Sequence, residues 1–335
     1  MKKTVINWGI LGLGKIARKF AEDLQRLPDA RLHAVASTSP ERARAFATEF
    51  GAPHAFGAYR DIAACPGLDA LYVATPHPQH TECAQIALDA GIPVLVEKPF
   101  AMHAAEAAET IAHARRNQVL LMEALWTRFI PATNQALNLI RQGAIGAVHT
   151  VKADFGFNTP YDPQSRLFNP ALGGGALLDI GIYPAFLAQL IFGAPPVSGV
   201  QSAAAFTPDG VDAACAFTFR YPDHRLALGY AALNAHTPVE AWIFGTEGHL
   251  YLHPRWHHTQ KLTVARYEGK QQILETLEYP YEGWGYHFEA AHFMECLRAG
   301  LQESPLLPLE FTLALARTLD DIRRGFGATN SQGLG

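Results

Sequence analysis

Val5-Ile6-Asn7-Trp8-Gly9-Ile10-Leu11-Gly12-Leu13-Gly14-Lys15-Ile16-Ala17 decides the fold. Val5 to Leu11 is a short, largely apolar run of β-formers, and it passes through two glycines into a helical pattern reaching about Leu27. The joint is a G-x-G-x-x-A placed between a strand and a helix, the context in which that motif holds a dinucleotide. Gly12 permits the tight turn, and Gly14 lets the backbone approach a pyrophosphate. Ala17 lets strand and helix pack closely, while the helix N-terminus faces the phosphates. Gly12, Gly14, Lys15, Ile16 and Ala17 are therefore candidate cofactor residues. Lys15 and Arg18 follow the apolar run at once, with no small-residue cleavage site, so it reads as a strand and not as a secretory leader.

Working outward, the second strand, Leu32 to Ala36, ends in Ser37-Thr38-Ser39. An NAD-binding chain usually places Asp or Glu there for the ribose hydroxyls. Glu41 is the nearest acid, and in Pro40-Glu41-Arg42 it reads as part of the next helix's first turn. Hydroxyls at Ser37 and Thr38 with the Arg42 guanidinium suit a 2′-phosphate, so NADP is expected over NAD. The alternation continues with a helix at about 41 to 50, a strand near 54 to 56, a helix at about 59 to 65 and a buried strand from Ala70 to Ala74. Strands alternating with helices imply a doubly wound parallel sheet. Thr75-Pro76-His77-Pro78-Gln79-His80 forms a loop at a strand end, with Thr75, Pro76, His77 and His80 walling the cofactor. Prolines on both sides of His77 argue against one helical face offering both imidazoles to a metal, and no metal site is expected. Farther on, Gly91-Ile92-Pro93-Val94-Leu95-Val96-Glu97-Lys98-Pro99-Phe100 is a buried strand ending in an acid, a base and a proline. Glu97 and Lys98 thus lie at the carboxyl edge of the sheet, where open parallel sheets bind ligands, with Lys98 held in an extended turn by Pro99.

The 335 residues, 49% hydrophobic and 17% charged, can bury a large core and favour two domains, divided here as 1–124 and 125–335. A net charge of −4 gives no electrostatic reason for a nucleic-acid or membrane partner, which leaves small molecules. Residues 173–193 are apolar enough to raise a membrane span, but Asp179 at their middle, with Pro184 and Gln189, favours a buried helix carrying a functional acid. Four cysteines without C-x-x-C spacing suggest neither a disulfide framework nor a thiolate zinc site, and a reducing cytoplasm is expected.

In the second half, Val148 to Phe157 alternates like a strand and includes Phe155, a candidate substrate-binding residue. The polar loop from Asn158 to Pro170 carries Arg166 and Asn169 as candidates for a substrate mouth. Asp179 and Tyr183, four apart on the apolar helix, share one face. From about Val197 to Pro280 strands succeed one another without helices, which means antiparallel sheet. Period-2 apolar residues at Phe217, Phe219, Leu226, Leu228 and Tyr230 suggest dimerisation through this sheet. His253, His257 and His258 surround Trp256 in a turn and read as polar surface residues. Helices at about 285–299 and 308–325 close the chain, with His287 a further candidate for the substrate.

The G-x-G-x-x-A, the Glu97-Lys98-Pro99 turn, Glu123-Ala124-Leu125-Trp126-Thr127-Arg128-Phe129, Gly173 to Pro184 and Gly285-Tyr286-His287-Phe288-Glu289-Ala290 occur in an order that resembles the glucose-fructose oxidoreductase / inositol dehydrogenase (Gfo/Idh/MocA) family. Within it the pattern is most similar to dimeric dihydrodiol dehydrogenases and NADP-dependent D-xylose dehydrogenases. The resemblance implies an N-terminal Rossmann domain, a C-terminal α+β domain on a large, open, mostly antiparallel sheet, and a homodimer. It implies hydride transfer with a secondary alcohol or hemiacetal carbon of a sugar, polyol or cyclic trans-diol, with Trp126 and Arg128 at the cofactor. It also contains transcriptional regulators, so a sugar- or nucleotide-sensing role is the competing expectation. Many members carry Asp and His on the substrate helix where this chain has Asp179 and Tyr183, which places it in a tyrosine-using branch and puts inositol in doubt. Tyr183 is then the expected general acid–base, Lys98 its cationic partner and Asp179 the orienting acid. Lys98 as the proton acceptor is the open alternative.

Overall fold

The computed structural model describes residues 4–328. The chain divides into two compact units, one formed by 1–129 with 282–313 and the other by 130–281 with 314–335.

The first unit is built on six strands: β1 (Ile6–Leu11), β2 (Ala30–Ala36), β3 (His54–Phe56), β4 (Ala70–Val73), β5 (Val94–Glu97) and β6 (Leu121–Ala124). They lie in the order β3-β2-β1-β4-β5-β6, every pair parallel, which is the doubly wound arrangement expected. Helices α1 (Lys15–Leu24), α2 (Pro40–Phe50), α3 (His80–Asp89) and α4 (Ala104–Asn117) lie between successive strands. The core strands are apolar runs without polar alternation because β4, β5 and β6 are buried throughout. Trp8 is fully buried, and the Phe20 ring stacks 3.7 Å from that of Tyr72. Strand order reverses between β1 and β4, so the crevice for a ligand opens where Gly12 and Thr75 leave the sheet.

A boundary after Ala124, with everything later in one domain, was expected; the contacts instead return residues 282–313 to the first unit. The physical reason is a tertiary helix cap. Asp23, fully buried on α1, accepts the N–H of Trp284 (2.9 and 3.0 Å to its two oxygens) and of Tyr286 (2.8 Å) at the start of α7 (Tyr286–Ala299). Burial alone would raise the Asp23 carboxyl. The hydrogen bonds from His287 and from these two N–H groups outweigh it and hold the group below its usual range. Trp8 against Phe293 (5.2 Å between ring centres) and Trp126 stacked on Tyr286 (4.3 Å) complete the seam.

The second unit carries eight strands: β7 (Val148–Gly156), β8 (Val200–Phe206), β9 (Asp212–Arg220), β10 (Leu226–Ala232), β11 (Ala241–Gly245), β12 (Gly248–Leu252), β13 (Lys261–Glu268) and β14 (Gln271–Glu278). Their order is β14-β13-β12-β11-β7-β10-β9-β8, with β7 and β10 parallel and the other neighbours antiparallel. Helix α5 (Pro131–Arg141) precedes β7, and α6 (Ile182–Phe192) packs on β7 and β10. The last helix, α8 (Leu309–Ala328), joins this unit from Ala314 onward, where Ser202 Oγ donates to Ile322 O at 2.6 Å. Pro170–Phe192 is long and apolar enough to cross a membrane, and 83% of its most apolar window is buried within the structure. The apolar residues of β9 and β10 fall on opposite faces of the sheet. Phe217 and Phe219 are buried, whereas Leu226, Leu228 and Tyr230 are exposed by 37 to 43%.

Candidate active site

The glycine turn fits a dinucleotide for two geometric reasons. Gly12 has φ +83°, and a Cβ there would stand 2.7 Å from the backbone of Ala74 and Thr75, so only glycine lets β1 turn this close to the end of β4. A Cβ on Gly14 would meet no atom within 4 Å, no side chain caps α1, and Gly14, Lys15 and Ile16 are exposed. The first N–H groups of α1 are thereby presented to an anion, while Ala17, fully buried, holds the helix against the sheet.

At the end of β2, Arg42 lays its guanidinium over the two hydroxyls. Its Nε donates to Ser37 Oγ at 3.0 Å, and an Nη lies 3.5 Å from Thr38 Oγ1. Glu41 is turned away, its carboxylate taking Ser39 Oγ–H at 3.0 Å and Arg44 at 3.1 Å. Ser39 caps α2 by accepting the Arg42 N–H.

The Lys98 turn is clamped through its backbone. Lys98 N–H donates to Glu97 Oε2 and Phe100 N–H to Glu123 Oε1, each at 3.2 Å. Between them Pro99 O lies 2.8 Å from His80 Nδ1, and Nε2 of the same ring reaches Thr75 O at 2.9 Å. His80 therefore ties the loop after β4 to the loop after β5. The other Glu97 oxygen accepts the Tyr72 hydroxyl, which burial above all, and then Glu97 itself, keeps protonated and donating. Burial pushes the Glu123 carboxyl up to about 7. Glu289 on α7 is fully buried with neither oxygen paired. Desolvation first, and then the charges of Glu97 and Asp23, drive it well above the carboxylate range, so it stands as a neutral acid. His77, buried, packs edge-on to His80 with ring centres 5.6 Å apart. Arg128 Nε donates to Leu306 O at 3.0 Å, and His287 Nδ1 lies 3.4 Å from Asp23.

The second unit places Tyr183 at the start of α6, just after a π-helical turn, Leu177–Gly181, that contains Asp179. Such turns often mark functional positions. Asp212 caps the turn, taking the Leu177 N–H at 2.6 Å, and burial raises its carboxyl to about 6. Asp179 receives Arg166 Nη1 at 3.0 Å. Tyr183, 5% exposed, sits 5.6 Å from Phe155 and 5.0 Å from His257, whose rings stack at 4.3 Å. His257 is the residue sequence reading missed; it is buried in a short turn after β12 and not on the surface. Asn169 spends its side-chain oxygen locally, on the N–H of Ala171.

Residues 6–125 match the model for the oxidoreductase family with an NAD-binding Rossmann fold, and residues 133–251 match the GFO/IDH/MocA C-terminal domain. The chain is 36% identical over 332 residues to trans-1,2-dihydrobenzene-1,2-diol dehydrogenase of Mus musculus, covering 98% of each chain. The chain belongs to the Gfo/Idh/MocA oxidoreductase family. Two solved structures share its fold. An aldose-aldose oxidoreductase from Caulobacter crescentus is 27% identical with TM-score 0.85, covering 98% of each chain. A 3-ketoreductase from Actinomadura kijaniata, in complex with NADP and TDP-benzene, is 25% identical with TM-score 0.83, covering 96% of this chain and 98% of that one. As a Gfo/Idh/MocA member, the chain is an NAD(P)-dependent dehydrogenase acting on CH–OH groups.

Proposed function

We propose that the enzyme oxidises a secondary alcohol of a cyclic trans-diol with NADP, and takes polyols and sugars less well. The observation that carries this reading is the aromatic wall around Tyr183. Half-buried Phe155 and buried His257, stacked on each other, offer a flat apolar face to a ring-shaped substrate, whereas a sugar presents hydroxyls that such a face leaves without partners. The dihydrodiol substrate named for the mouse relative has such a ring.

When bound, the nicotinamide supplies the hydride acceptor. Hydride leaves a carbinol carbon only as its hydroxyl proton is lost, and we assign that proton to the Tyr183 phenolate oxygen. An unperturbed tyrosine, pKa about 10, is a weak base at neutral pH, and a nearby ammonium favours its phenolate. We assign that charge to Lys98, on a turn whose backbone the Glu97, Glu123 and His80 contacts hold in place. Asp179, paired with Arg166, orients the substrate hydroxyls. Gly12, Gly14, Lys15, Ile16 and Ala17 hold the pyrophosphate, Thr75, Pro76, His77 and His80 line the nicotinamide side, and Trp126 and Arg128 complete the pocket.

NADP is preferred because Ser37, Thr38 and Arg42 stand where a carboxylate would repel the 2′-phosphate. Ser37→Asp should cost NADP affinity more than NAD affinity by about 1 to 3 kcal/mol, measured by titration of each cofactor. Wild-type protein binding both equally would overturn this reading of β2.

The function itself is tested by NADP reduction with trans-cyclic diols, pentoses and hexoses side by side. The diols should give the highest kcat/KM; turnover of sugars alone would refute the diol assignment. We also propose a cytoplasmic homodimer, formed through the exposed Leu226, Leu228 and Tyr230 and the adjoining groove of about 480 Å³ bordered by Lys152, Gln201 and Thr218. A monomer by light scattering at micromolar concentration would end that idea.

A further inference from the structure

Within the first unit, three ligand-bearing side chains converge at a place the dehydrogenase reading does not use. His33 lies on β2 and His54 on the three-residue β3, while Cys65 follows the short helix Tyr59–Ala64 that leads toward β4. One ligand atom from each lies within 4.8 Å of the other two. The imidazole rings of His33 and His54 stand 4.8 Å apart, edge to face. Cys65 is a free, buried thiol.

The decisive detail is how His33 is wired. Its Nε2 lies 3.0 Å from Pro66 O, and since a carbonyl only accepts, that nitrogen carries the proton. Nδ1 is then a bare lone pair, and it is buried without a hydrogen-bond partner. A buried acceptor facing no donor is destabilising, and a group of positive character would satisfy it. A ring whose far N–H is fixed by a backbone carbonyl is also the usual arrangement of a metal-bound histidine.

We infer that His33, His54 and Cys65 form a binding site for a divalent zinc-class cation, with water in the fourth position. Two imidazole nitrogens and one thiolate are a borderline-soft donor set. It suits zinc and excludes magnesium and calcium, which require oxygen. Bond lengths of about 2.0 Å to nitrogen and 2.3 Å to sulfur place tetrahedral ligand atoms about 3.3 to 3.6 Å apart, within a small side-chain rotation of the observed spacing. As the Zn–S bond forms, the Cys65 thiol gives its proton to solvent. Both histidines are half-buried, which leaves an approach for the ion and its water. The ion would pin the short edge strand β3 to β2 and to the turn before β4. Ser37, at the cofactor end of β2, lies four residues along the strand, about 13 Å away, so the role is structural and separate from catalysis.

The test uses the full-length protein, stripped with a chelator and kept under a thiol reductant. Cobalt(II) should bind one equivalent with a thiolate-to-metal charge-transfer band and the visible absorption of a tetrahedral site, and zinc should displace it and raise Tm. Cys65→Ala should abolish the charge-transfer band. His54→Gln, on a half-exposed edge strand that tolerates the change, should weaken zinc binding at least tenfold while NADP affinity stays unchanged. A wild-type protein without the sulfur band, or zinc affinity untouched by both substitutions, would overturn the proposal and locate any bound metal on other histidines.

Discussion

Lys98 and Tyr183 are held by opposite means. Around Lys98 the restraint is polar: the neighbouring Glu97, together with Glu123 from β6 and His80 from α3, reaches the backbone of a single turn. Around Tyr183 it is apolar and close-fitting, a helix packed on β7 and β10 with Phe155 and His257 against the ring. A polar clamp fixes position through directional bonds but carries ionisable groups into the interior. Ring packing fixes it by shape, through close contacts with few voids. The difference predicts that the two proposed residues fail in different ways when disturbed.

The largest effect should come from the phenol itself. Tyr183→Phe keeps the ring contacts and removes only the hydroxyl, so kcat should fall by about 10² to 10⁴ with Tm and NADP affinity nearly unchanged. Wild-type kcat in this variant would transfer the proton to Lys98.

Next comes the clamp. Glu123 has a folded-state pKa of about 7 against an ordinary 4.5, so its contribution to stability is fully present below pH 4.5 and is lost as pH rises through 7. Two and a half units correspond to about 3 kcal/mol. Glu123→Gln still accepts the Phe100 N–H but cannot ionise. Denaturant unfolding between pH 4.5 and 8 should therefore show a flatter profile for the variant, and parallel profiles would remove Glu123 as the source.

The smallest effect belongs to the ring wall. His257→Leu keeps the bulk but loses the stacked contact with Phe155 and the tilted one with Tyr183, a matter of about 0.5 to 1.5 kcal/mol. It should raise KM for diols several-fold and leave kcat within a factor of a few. A collapse of kcat would mean that His257 handles the proton.

How much of this the sequence discloses depends on distance along the chain. The glycine turn, the bare acid-free end of β2 and the Lys98-Pro99 turn are local patterns, legible because a strand, its loop and the next helix are contiguous. The clamp is not. His80, Glu123 and Lys98 meet only once β4, β5 and β6 lie side by side, and nothing near Glu123 in sequence announces that it will face Phe100 N–H. The cap from Asp23 to Trp284 spans 261 residues, yet it left one readable trace, an acid on the buried side of α1 between Phe20 and Leu24. His257 left none, since Trp256-His257-His258 looks like any polar turn until β7 brings Phe155 against it. The pairing of His33 with Cys65 was invisible because it joins elements that share no spacing motif.

The return of residues 282–313 to the first unit also sets a timetable for biosynthesis. The nucleotide-binding sheet is complete at Ala124, but the partners of Trp8, Asp23 and Trp126 are not translated until about 160 residues later, as counted from Ala124 to Tyr286. At ribosomal speeds of about 5 to 20 residues per second, Asp23 waits roughly 8 to 32 s for the helix it caps. A released 1–129 fragment should accordingly be protease-sensitive around α1, and adding back a 282–313 peptide should restore protection there. The segment that looks like the start of an independent domain is thus the part of the nascent chain with the longest need of shelter.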